Sequence, residues 1–189
     1  MIPLFPLGTV LFPGGVLPLK IFEPRYLDMI SACLRTGSGF GINLIRSGSE
    51  VGEPARCWQV GTYARVVDWH SLPGGLLGIT VQGERRYRII RTQVEPDNLL
   101  LAEVEWLGEK EDVMAAELEI DRYAWLRRLL DKYGLNAVSR GVENGAICTL
   151  IWRLAESLPL PHSAKQSLLE LNSAQDLLAT LHSLLQGLI

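Results

Sequence analysis

The sequence predicts an α+β chain in two parts, and three observations predict it. Short runs rich in Val, Ile, Tyr, Trp and Thr, separated by Gly, Pro and Asn, fill the chain up to Gly108. One helical pattern interrupts them, just after Glu23. Beyond Glu109 the strand pattern stops and helical spacing takes over. The expected parts are therefore 1–108, β-rich, and 109–189, helical. A chain of this size can bury roughly 70% of its extended surface, so it needs neither disulfide nor metal to fold.

No ionisable side chain precedes Lys20, yet the opening stretch is neither a signal nor a span. A secretory signal places its basic residues before the apolar run, and here they come after it. Pro3, Pro6, Pro13 and Pro18 with Gly14-Gly15 also rule out a continuous helix, since an interior proline costs about 3 kcal/mol. Two strands, IPLFPL and VLPLKI, joined by a turn at Phe12-Pro13-Gly14-Gly15, fit instead, with the prolines at edges or strand ends. The first helix then opens with Pro24 at its first position and Glu23 near its positive end, and Gly37 stops it. Leu27, Ile30 and Leu34 line one face, with Cys33 beside them. Strands are expected at 40–45, 57–69, 76–83, 85–94 and 99–107, and Ser71–Gly75 reads as a hairpin loop.

In the second part, 111–133 and about 141–157 read as helices, broken by Ser157-Leu158-Pro159-Leu160-Pro161. Ser163 followed by Gln166 is a capping-box signature for a short helix through Leu171, and Ser173 with Asp176 is a weaker one. Leu177, Leu178, Leu181, Leu184, Leu185 and Leu188 form an amphipathic stripe on the last helix. Packing against the other helices is the simplest use of that stripe, and a homodimer is the alternative it permits.

Charge is unremarkable, with 10 basic and 10 acidic residues in 1–108 and 8 and 11 in the rest. Neither part is built to attract nucleic acid as a whole. Cys33, Cys57 and Cys148 are odd in number and widely spaced, as in a reducing, cytoplasmic setting. His70, His162 and His182 lie in separate segments without HExxH, so no metal or other cofactor is expected.

The order of motifs resembles a known family. IPLFPLGTVLFPGGVLPLKIFEPRYLDM at 2–29, VGTYARVVDW at 60–69 and GLLGITVQGERRYRI at 75–89 are similar to the amino-terminal, substrate-binding domain of the Lon proteases. The closing segment LPLPHSAKQSLLELNSAQDLLATLHSLL at 158–185 joins the match. The resemblance implies a PUA-like β pseudo-barrel with one packed helix, followed by a C-terminal helical bundle. It also implies a non-catalytic module that binds unfolded or apolar polypeptide segments or a dedicated protein partner. No GxxxxGK[ST] occurs and the chain stops short of any ATPase or Ser-Lys peptidase module, so no enzyme activity is expected.

Four residues are the partner-binding candidates: Phe12 at the first turn, Leu72 at the hairpin tip, and Trp58 and Trp69 bracketing a strand. Apolar side chains at such positions, if contiguous and exposed, mark an interaction site; burial in the core is the competing use. No residue is assigned a catalytic role. Cys57 and His70 are the nearest approach to a nucleophile and base, with nothing to orient the base. RNA is the alternative ligand, through Arg85, Arg86, Arg88 and Arg91 around Tyr87. Strand alternation splits that cluster, and Glu84, Glu95 and Asp97 are expected to neutralise it.

Overall fold

Strands β1 (Ile2–Leu7) and β2 (Val16–Ile21) form where the apolar runs place them, but they do not pair with each other. The computed structural model describes residues 1–108, 124–132, 134 and 147–186. In it β1 pairs in parallel with β3 (Phe40–Ser47) and antiparallel with β7 (Leu100–Trp106). It is thus an interior strand, against the expected edge position. Its prolines still obey the underlying rule. Pro3 lies opposite Leu101 of β7 where β3 is absent, and Pro6 opposite Asn43 of β3 where β7 is absent. Each proline therefore has one unpaired flank, where a missing N–H costs little.

The remaining strands are β4 (Arg56–Cys57), β5 (Val60–Ser71) and β6 (Leu77–Val94). The order β1-β7-β6-β5-β3, closed by β3 on β1, makes the expected pseudo-barrel, and β2 joins β6 outside the ring. Two expected strands, 76–83 and 85–94, are one. Gly83 does not end the strand; it marks a change of partner, from β2 at Leu77–Gln82 to β7 at Tyr87–Val94. Conversely the expected 57–69 strand breaks at Trp58–Gln59, where the Trp58 amide donates to Leu44 O (2.9 Å).

Helix α1 (Pro24–Thr36) starts at Pro24 and ends on Gly37, whose φ of 66° is the left-handed cap that glycine supplies cheaply. Its buried face is a correction. Tyr26, Met29, Ile30 and Cys33 pack with Phe5, Phe40, Ile42, Ile79 and Val81, whereas Leu27 and Leu34 are exposed. Burying Ile30 alone contributes about 2 kcal/mol. Both faces carry apolar residues at helical spacing, so spacing alone could not choose between them. Arg25, on the same helix, is buried: it pairs with Glu23 (2.8 Å), donates to Asn98 O (2.9 Å) and lies against the Tyr26 ring. FEPRY is thus a structural lock.

A second cluster of Leu4, Tyr63, Tyr87, Leu100 and Ala102 lies on the β1–β6–β7 side of the barrel. The buried Tyr87 hydroxyl donates to Asn43 Oδ1, and Asn43 Nδ2 donates to Trp58 O (3.0 Å). Gly41 makes this possible, because a Cβ there would lie 2.0 Å from the Tyr87 hydroxyl.

The chain divides into two compact units, Met1–Gly108 and Glu109–Ile189. In the second unit the described helices are α2 (Ala124–Lys132), α3 (Ile147–Ser157), α4 (His162–Glu170) and α5 (Ala174–Gln186). The parts of the expected helices at 111–123, 133 and 141–146, and Leu188 of the leucine stripe, lie outside the described residues. Of the two capping signals the weaker is the real one: the Asp176 amide donates to Ser173 Oγ (3.3 Å). Helix α4 starts two residues earlier than read, with Pro161 rather than Ser163 at its N-cap, and Gln166 bonds Glu170 (2.8 Å) rather than closing a box with Ser163. Leu177, Leu178 and Leu181 are buried within this unit, where α5 packs on α3 and α4.

Candidate functional site

The β5–β6 hairpin changes character along its length. From Val60 to Ala64 every β5 residue is buried in the barrel. From Arg65 to Ser71 the strand leaves it, and only Val66 stays partly buried. β3 pairs with β5 no further than Ala64, so this outer arm has β6 on one side and no strand on the other among the described residues. Among the described residues β2 likewise pairs only with β6. The result is a three-stranded ledge, β5–β6–β2, with two open edges.

One face of the ledge serves the core through Ile79, Val81 and Ile21. Apolar side chains are nevertheless left in solvent: Trp69 is 62% exposed, Phe22 55% and Val67 54%, with Leu76 also exposed beyond the turn. Both edges carry features that discourage indiscriminate pairing. β5 has a register shift between Val66 and Asp68, the Asp68 carboxylate takes up the Trp69 amide (2.8 Å), and β2 carries Pro18. The tip, Leu72 to Leu76, turns through Gly74 and Gly75 at left-handed φ of 79° and 76°.

The four sequence candidates separate on this frame. Trp69 and Leu72 lie on the same hairpin, Trp69 exposed and Leu72 half-buried. Trp58 is half-buried on the far side of the β5 break, its ring under the Arg46 guanidinium at 5.7 Å. Phe12 is a correction, being fully buried. Its turn folds back on β6, with Gly14 N donating to Gly83 O (2.6 Å) and Gly83 N to Gly15 O (2.9 Å). The sequence held only a hint, the continuous apolar run Val10-Leu11-Phe12 where a projecting turn is usually polar, because the residue that receives the turn, Gly83, lies far along the chain. Phe22, Val67 and Leu76 were missed, because their exposure depends on where the barrel ends.

The other candidate chemistries are also placed. Burial pushes the Cys57 thiol up to about 11, so it is protonated at neutral pH and a poor nucleophile. Its Sγ contacts Ala55 O (3.9 Å), while the His70 ring lies over Gly78. No group of three or more His, Cys, Asp or Glu side chains is placed to hold a metal ion among the described residues. The arginine cluster divides differently from the expected alternation, because a register shift between Ile89 and Arg91 sets Arg88 and Arg91 on one face, opposite Glu105 and Glu103, and it is neutralised by other acids than expected. Arg88 faces Glu105 (3.7 Å), Arg91 pairs with Glu103, and Arg85 stacks on Trp106 (3.6 Å). Glu84 is engaged instead by Arg65 (3.0 Å). Among the described residues no helix is long and apolar enough to cross a membrane.

Comparison with known proteins agrees with this architecture. The fold matches a Lon N-terminal domain protein from Xanthomonas campestris, with a TM-score of 0.80, 32% identity and 96% of each chain covered. It also matches the N-terminal domain of the Mycobacterium avium complex Lon protease, with a TM-score of 0.71, 21% identity and 97% and 96% covered. In sequence, 98% of the chain aligns at 25% identity with 24% of the Lon protease of Bacillus thuringiensis strain Al Hakam. The chain thus spans about a quarter, or less, of the curated relatives it matches. The family model of the ATP-dependent protease La (LON) substrate-binding domain matches residues 1–187, and the chain belongs to that family.

Proposed function

We propose that this chain is a non-catalytic binding module for polypeptides, taking extended apolar segments of unfolded protein, or of one dedicated partner, at the β5–β6–β2 ledge. The observation that carries the reading is Trp69, 62% exposed on a strand arm whose outer edge has no strand partner among the described residues. An aromatic side chain there supplies a large apolar contact, and an open edge beside it can add backbone hydrogen bonds to an extended chain. Membership of a substrate-binding family supports the same reading. The raised Cys57 thiol argues against that side chain as a nucleophile. Three free cysteines fit a reducing compartment such as the cytoplasm. RNA is the weaker reading, since Arg88 and Arg91 are engaged by acids and Arg86 is buried.

The test is a titration of a fluorescently labelled, permanently unfolded protein, followed by anisotropy, with its folded form as control. Binding of the unfolded form alone, insensitive to salt and weakened by Trp69→Ser, supports the proposal. Absence of binding at about 50 μM, an affinity weaker than about −6 kcal/mol, removes the generic unfolded-chain version and leaves a dedicated partner.

A further inference from the structure

A cavity of about 670 Å³ opens away from the ledge, where the end of β3, the 54–57 segment and the second half of β6 meet. Three guanidinium groups line it, Arg46, Arg56 and Arg91, and no acidic side chain among the described residues does. Only Arg91 has a carboxylate partner, Glu103; Arg46 and Arg56 form no ion pair among the described residues. Arg46 is instead held against the Trp58 ring. Gln59 and Thr92 add neutral hydrogen-bonding groups, and Leu4, Ile89 and Leu100 form an apolar wall. The remaining lining nucleophile, Cys57, carries no compensating charge near neutral pH.

Arg46 and Arg56 bring positive charge without a carboxylate partner among the described residues to one cavity, which favours an anion there. The volume suits one small molecule rather than a folded partner. A single carboxylate would offset one guanidinium, whereas a phosphate presents several charged oxygens in the geometry that arginine forks match. We infer that this cavity is a site for a small organic phosphate, its phosphate on Arg46 and Arg56 and its body against the Leu4–Ile89–Leu100 wall. The site is independent of the polypeptide reading.

The test is calorimetric titration of the full chain at low salt with inorganic pyrophosphate and with adenosine 5′-monophosphate, accompanied by tryptophan fluorescence. Adenosine, citrate and a single-stranded RNA oligonucleotide are the controls. Saturable binding of both phosphates, weakened about tenfold or more by Arg46→Gln and by Arg56→Gln, is expected. Trp58→Phe should remove the fluorescence response. Both arginines are exposed, so the variants should unfold at the wild-type temperature, which a melting curve checks. Failure of both phosphates at about 10 mM, binding unchanged in both arginine variants, or citrate or adenosine binding as tightly overturns the site. Binding of the RNA alone overturns it too, in favour of a nucleic-acid surface.

Discussion

The two ends of the β5–β6 hairpin are made of the same kinds of residue and have opposite fates. At the barrel end, Thr62, Tyr63 and Tyr87 are enclosed, and each hydroxyl finds a partner: Leu11 O, Gly39 N and Asn43 respectively. At the far end Val67 and Trp69 lie in the same strand, with equally strong β-formers, and are left in water. The difference is whether a third strand arrives. β3 covers β5 as far as Ala64 and then turns away, so the hairpin is core on one side of that point and surface on the other. Strand propensity builds the hairpin; neighbours decide what it is for.

The comparison breaks most sharply at Gly41. Gly41→Ala places a methyl group 2.0 Å from the Tyr87 hydroxyl and 2.7 Å from Leu4 Cδ2. A loss of about 3 kcal/mol or more is expected, read as a lower urea midpoint. Tyr87→Phe is milder. It leaves Asn43 Oδ1 buried without its donor, at a cost of about 1–3 kcal/mol in the same measurement.

Alkaline pH sharpens the contrast without mutation. Burial pushes Tyr26 up to about 12 from 10.0, and Cys57 up to about 11 from 9.0. Between those values the unfolded chain releases its protons first. Stability contributed by the two groups is therefore intact below pH 9 and falls as pH rises through 9–12. Denaturation curves at pH 8 and 10.5 should show the decline, and Cys57→Ser should reduce it.

At the exposed end Trp69→Ser should change stability by less than about 1 kcal/mol. The same substitution should weaken unfolded-chain binding by about tenfold or more, as anchoring aromatics do. A large stability loss there would make the outer arm core after all. The smallest contrast lies in the second unit. Ser173→Ala should cost that unit about 0.5–1 kcal/mol through its lost cap, and Ser163→Ala close to nothing.

Much of this was legible in the sequence. The bounds of β1, β2 and α1 follow from proline, glycine and apolar runs, because those residues restrict the backbone locally, whatever surrounds them. The capping signals show the limit, since a serine caps a helix only if the helix starts beside it. Of the binding candidates, Trp69 is placed in solvent and Phe12 in the core, although both are aromatics near an expected turn. Nothing in the local pattern around Phe12 shows that Gly83, far along the chain, lets its turn fold inward.

By itself, then, the sequence determined the α+β class, the bounds of β1, β2 and α1 and the family, since each of these rests on local backbone preference and ordered motifs. Only the tertiary structure decided that β1 is interior, that α1 buries Tyr26 and Met29 rather than Leu27 and Leu34, and that Trp69 rather than Phe12 faces solvent. It also decided that Arg46, Arg56 and Arg91 share one cavity. Exposure and convergence are properties of strands pairing across dozens of residues, and no short window of sequence contains both partners.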